Sequence, residues 1–97
     1  MERAVALATL RAHEAEFKRL GVEHLYLFGS TARDSASADS DVDLFFDHPE
    51  GSLGLFALMA VKEAAGRILG ARADVTTRRG LHPMLRPEIE ASAAEVF

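Results

Sequence analysis

Apolar side chains recur along this chain with two periods, and the switches between them predict the order of its elements. From about Glu2 to Leu20, the residues Leu7, Leu10, Phe17 and Leu20 fall at helical spacing with charges between them, and Gly21 supplies a stop. Glu23 to Phe28 (EHLYLF) is a short apolar run of the buried-strand kind. It ends at Gly29-Ser30, and Thr31-Ala32-Arg33 is expected to begin a short helix. The stretch from Asp34 to Ser40 is Ser, Ala and Asp, a solvated loop by composition. Asp41 to Asp47 (DVDLFFD) is the second strand, closed by His48-Pro49-Glu50-Gly51. A second amphipathic helix is predicted from Ser52, which can cap it, to Leu69 before Gly70, with Leu55, Leu58, Val61, Ala65 and Ile68 on one stripe. Arg72 to Thr77 is a third strand, and a last helix starting near Pro87 carries Ile89, Ala93 and Val96. This order predicts an α/β (α+β) fold, a small mixed sheet with helices packed on one face.

Composition narrows the class. The 97 residues are expected to form a single domain, residues 1–97, and 48% hydrophobic content is ordinary for a globular protein. Fifteen acidic against 11 basic residues argue against bulk, charge-driven nucleic-acid binding. Only Lys18 and Lys62 are lysines, and the arginines that make up the rest favour planar, bidentate contacts. The absence of Cys removes disulfides, thiolate chemistry and Cys-based zinc sites. No apolar run reaches the ~20 residues of a membrane span, and the N-terminus has no signal-peptide core. A cytoplasmic protein without membrane contact is the expectation.

Candidate chemistry begins on the second strand. Asp41 and Asp43 are two apart, so both side chains should leave one face while Val42, Leu44 and Phe46 enter the core. Two carboxylates about 4 Å apart repel by roughly 4 kcal/mol at an effective dielectric of 20, which a divalent cation offsets. Oxygen-only ligands suit Mg²⁺. Asp74 interrupts the third apolar run and completes a carboxylate triad if that strand lies beside the second. Gly29-Ser30, where a strand feeds a helix, allows a phosphate to approach backbone N–H groups, and Arg33 lies one turn on. Singly, each signal has a bland reading: a chance D-x-D, an ordinary turn, a strand-edge Asp paired with an Arg. Together they stand in one consistent order.

Gly29-Ser30-Thr31-Ala32-Arg33 followed by Ser40-Asp41-Val42-Asp43-Leu44 resembles the signature of the DNA polymerase β-like nucleotidyltransferase superfamily. It is most similar to the minimal branch, the MNT domain proteins often paired with HEPN-domain partners in toxin–antitoxin systems. One departure is Asp34, where the family often has Gly; Asp tolerates the left-handed backbone better than most residues do. The resemblance implies that Asp41, Asp43 and Asp74 are catalytic and hold two Mg²⁺ ions, and that Gly29, Ser30 and Arg33 bind the nucleotide. It implies AMP transfer from ATP to a tyrosine hydroxyl of a HEPN toxin, with this chain as antitoxin. Two alternatives stay open: an inactive antitoxin that neutralises by contact, and adenylyl transfer to a small molecule such as an aminoglycoside.

Other features have plainer readings. His13, His24, His48 and His82 lack zinc-site spacing. Arg78-Arg79-Gly80 is expected to be an exposed basic turn, with contact to a triphosphate or an acidic partner as the other reading. Leu81, Met84 and Leu85 are a candidate partner-facing edge.

Overall fold

The computed structural model describes residues 1–35, 40–51 and 53–97. Helix α1 (Arg3–Arg11) and helix α2 (Glu14–Arg19) come first, then strand β1 (His24–Phe28) and the four-residue helix α3 (Gly29–Ala32). Strand β2 (Val42–Asp47), helix α4 (Leu55–Leu69) and strand β3 (Ala73–Thr77) follow. A 3-10 turn (Arg78–Gly80), helix α5 (Arg86–Ser92) and the short strand β4 (Ala94–Glu95) complete the order. The sheet runs β3-β2-β1-β4 and is mixed: β1 is antiparallel to β2 and β4, whereas β3 is parallel to β2. The parallel pair needs a crossover, and α4 supplies it.

Alternation along the strands decides what each face holds. Leu25 and Leu27 of β1, Val42, Leu44 and Phe46 of β2 and Val75 of β3 are buried in one cluster. Leu7 and Leu10 of α1, Phe17 of α2 and Val61, Ala65 and Leu69 of α4 close over them. The opposite face carries Tyr26, Phe28 and Phe45, whose rings stack or tilt together at 4.8 and 5.7 Å between centroids. Phe45 is nonetheless fully buried, because the segment after β3 returns across this face.

The expected first helix is two helices. At the junction the His13 ring Nδ1 lies 2.9 Å from the Thr9 carbonyl, while the His13 backbone N–H donates to Leu10 instead. The side chain thus occupies the acceptor that a continuous helix would use, and the chain tightens there. The expected last helix is shorter than read and does not carry Val96. Ala93 is its C-cap, with extended backbone, and the chain then becomes a strand. Val96 donates to the Leu25 carbonyl at 2.8 Å and is buried against β1. Two residues of strand are too few for periodicity to register.

Gly70 ends α4 with a left-handed backbone, φ 62°, as a C-terminal stop requires. Ser52, read as the cap, lies outside the described residues; α4 begins at Leu55 with Gly54 as N-cap and no side-chain cap. Leu55, placed on the buried stripe, is 69% exposed, beside Phe56 at 86%. Leu81, read as surface, is buried, whereas Met84 and Leu85 are exposed. Among the described residues no helix is long and apolar enough to cross a membrane.

These burials set expected stabilities. Leu44→Ala should cost about 2–5 kcal/mol, a cavity beneath two faces of secondary structure. Phe56→Ala should change stability by no more than about 0.5 kcal/mol. Urea unfolding of the two variants beside the parent measures both.

Candidate active site

Strand register makes a row of three positions at one end of the sheet. Phe28 pairs with Asp43, and Asp43 pairs with Asp74 across the parallel ladder. All three belong to the face opposite the two long helices, since Leu27, Leu44 and Val75 next to them are in the core. Asp41 lies just before β2, two residues from Asp43, with its carboxylate 3.5 Å from the Arg72 guanidinium. The third strand therefore does lie beside the second, with Asp74 directly opposite Asp43.

Close approach defines the other side of Asp43. A Cβ placed on Gly29 would come within 2.3 Å of Asp43 Oδ2. Gly29 also has φ +74°, so both space and backbone exclude a side chain there. Ser30 follows in α3, half-buried, and its carbonyl accepts from the Ser35 backbone N–H at 2.9 Å and the Ser35 hydroxyl at 3.3 Å. Arg33 is the C-cap of α3 and is exposed.

Asp34 takes the left-handed conformation that glycine would supply, with φ 58°. Its Oδ1 also accepts from the Arg3 backbone N–H at 3.1 Å. That carboxylate satisfies a free donor in the first turn of α1, where negative charge is favoured. The departure from glycine thus ties α3 to α1.

Electrostatics single out Asp43. Burial first, then the like charges of Asp74 and Asp41, push its carboxyl above the ordinary value, while the Arg33 guanidinium opposes them. Among the described residues, no three His, Cys, Asp or Glu side chains are already drawn together as a metal-holding group. Asp43 and Asp74 stand opposite each other on paired strands, and Asp41, two residues before Asp43, is turned to Arg72, so the side chains offer oxygen donors alone.

The far end of the same face is neutralised internally. Arg78, expected in an exposed turn, is instead pinned: it donates to Asp47 at 2.7 and 3.0 Å and to Glu90 at 2.5 Å. Its guanidinium also lies over the rings of Tyr26 and Phe45, 4.9 and 5.0 Å from their centroids. The hydrogen bonds hold the Asp47 and Glu90 carboxyls below their ordinary values. Arg79 remains exposed. The Arg78 contacts were hidden in the sequence because Asp47 and Glu90 are distant along it; the acids themselves were not, since D-x-D and Asp74 stand in recognisable strands, although only the register sets Asp74 against Asp43.

A raised carboxyl has a definite consequence for stability. The folded state disfavours ionised Asp43, so it loses stability as pH rises through the folded pKa, and below the unfolded value of about 3.9 the penalty is absent. Asp43→Asn should therefore stabilise the metal-free protein at pH 7 and be neutral near pH 3. For a half-solvated group, screening limits the gain to about 0.5 kcal/mol, or roughly 2–4 °C in Tm. Thermal melts in chelator at the two pH values provide the measurement.

With this geometry in place, known proteins supply the comparison. The family model described as Nucleotidyltransferase domain matches residues 10–96. The protein adenylyltransferase MntA of Thermococcus cleftensis is 36% identical over 73 residues, covering 74% of this chain and 73% of that protein. A solved structure assigned as a minimal nucleotidyltransferase superposes with a TM-score of 0.82 at 34% identity, covering 97% of this chain and 95% of the other. A chain from the complex of tri-AMPylated Shewanella oneidensis HEPN toxin with MNT antitoxin shares the fold, with a TM-score of 0.60 at 16% identity, over 89% of this chain and 70% of the other. Register, glycine turn and family match agree: this chain belongs to the nucleotidyltransferase domain family, in its minimal form.

Proposed function

We propose that this chain transfers AMP from ATP to a hydroxyl of a HEPN-domain toxin, a tyrosine in the simplest case, and so acts as an Mg²⁺-dependent antitoxin in the cytoplasm. The observation that carries the reading is the row of Gly29, Asp43 and Asp74 at one sheet end. The 36%-identical relative named as a protein adenylyltransferase supports the reaction class, and the shared fold of the HEPN–MNT complex supports the kind of partner.

The role of each residue follows from its position. Gly29 leaves the space in which a triphosphate approaches the backbone beside Asp43, and Ser30 adds a hydroxyl donor. Arg33, near enough to influence the Asp43 charge, balances the phosphates. Asp41, Asp43 and Asp74 are the hard oxygen ligands that would hold two Mg²⁺ ions, and their mutual repulsion is what such ions relieve. When bound, magnesium supplies positive charge against the triphosphate. Asp74 takes the proton of the acceptor hydroxyl as its oxygen attacks the α-phosphorus. The new P–O bond forms as the bond to pyrophosphate breaks, so the products are AMP-modified protein and pyrophosphate.

Purified protein mixed with a HEPN partner, ATP and Mg²⁺ should raise the partner's mass by one or more AMP units in intact-protein mass spectrometry. Asp43→Asn should reduce that transfer about 100- to 1,000-fold, the loss of one electrostatic anchor of the reacting charge. An unmodified partner with the parent protein would reject the reaction. Neutralisation that persists in an Asp41→Ala/Asp43→Ala variant would assign the effect to contact alone. Gly29→Ala should weaken binding of a non-hydrolysable ATP analogue by at least about tenfold, or about 1.4 kcal/mol, in calorimetry with Mg²⁺, because its methyl group meets the Asp43 carboxylate.

A further inference from the structure

A cavity of about 610 Å³ lies along the outer side of β3, lined by Asp41, Lys62, Glu63, Arg67, Arg72 and Asp74 among others. Two features of its position define what can use it. Across the sheet the order is Gly29 at the end of β1, then Asp43, then Asp74, then the open edge, because β3 is the last strand on that side. A triphosphate held at the Gly29-Ser30 turn occupies the β1 side of Asp43, which leaves the β3 side to the acceptor. An edge strand also presents unpaired main-chain donors and acceptors, along which an extended segment can align.

Charge decides which segment. Arg67 is paired with Glu16 of α2, and Arg72 reaches Asp41 at 3.5 Å from a side chain that is 88% exposed. Lys62 has no ion-pair partner among the described residues. Once the charge of Asp41 and Asp74 is offset by magnesium, Arg67 stays neutralised by Glu16, and the wall that remains is Lys62 and Arg72 against Glu63. We infer that this cavity is the acceptor-docking groove, and that it selects a hydroxyl residue set in an acidic protein segment whose carboxylates meet Lys62 and Arg72. The inference rests on the reading of the chain as a protein adenylyltransferase. It adds the acceptor's chemical class and the residues that recognise it.

The experiment separates docking from chemistry. Fluorescein-labelled peptides with one central tyrosine, flanked by glutamates or by lysines, are titrated with the protein in Mg²⁺ and a non-hydrolysable ATP analogue, and anisotropy gives Kd. AMP transfer to the same peptides is followed separately by mass spectrometry with ATP. The acidic peptide should bind at least about tenfold tighter than the basic one, and Lys62→Glu/Arg72→Glu should abolish or invert that preference. Arg79→Glu, which makes the same kind of charge reversal once at the far end of the sheet, should leave it intact. Equal binding of both peptides, or a preference that survives the double substitution, overturns the groove even if both peptides are modified. A short RNA that binds tighter than the acidic peptide through Lys62 and Arg72 overturns it too. Acidic preference through these residues without AMP transfer supports the groove and counts against the transferase reading alone.

Discussion

Asp43 and Asp74 are held opposite each other on neighbouring strands, on a face where Asp43 is already half-buried. That arrangement costs stability, because both burial and like charge disfavour the ionised form. Nothing in the packing of the sheet requires it. Strand alternation needs Val42, Leu44 and Phe46 inward, and a neutral side chain at position 43 would serve the core equally well. The acids persist in a fold that can bear them because the cost falls at a strand end, near Arg33 and Arg72, and not in the middle of the sheet.

The rest of the structure holds that row in place. β2 is central, buried on the helix side by the main core and on the other by Phe45 under the aromatic pair and Arg78. The Arg78–Asp47–Glu90 cluster draws the chain after β3 back across the sheet and fixes the end of β2 remote from the acids. Gly29 is the counterpart at the near end. Its missing side chain lets the β1–α3 turn sit against Asp43, and the left-handed Asp34 ties the far side of α3 to α1. One end of the sheet is thus sealed by complementary charge, and the other keeps like charges facing an open space.

The same asymmetry separates the two approaches to the acids. From β1 comes a turn without side-chain bulk, suited to phosphates; from β3 comes a strand edge beside Lys62 of α4 and Arg72 just before the strand. A nucleotide and an acceptor can therefore reach the Asp43–Asp74 pair from different sides without competing for the same surface.

Much of this was legible before any fold was known. The two long helical regions, three strands, the Gly29-Ser30 turn and the acids at 41, 43 and 74 follow from periodicity and local spacing, because burial imposes the period of each element on its own residues. Even the tolerance of Asp at position 34 for a left-handed backbone is a local property. What remained for the tertiary structure was everything set by contacts between distant residues: the break at His13, the strand formed by Ala94–Glu95, the exposure of Leu55 and the capture of Arg78 by Asp47 and Glu90. The register that sets Asp74 against Asp43 belongs there too. A chain specifies its periods through neighbours a few positions apart, whereas pairing across a sheet depends on how a whole crossover packs, and no short window contains that information.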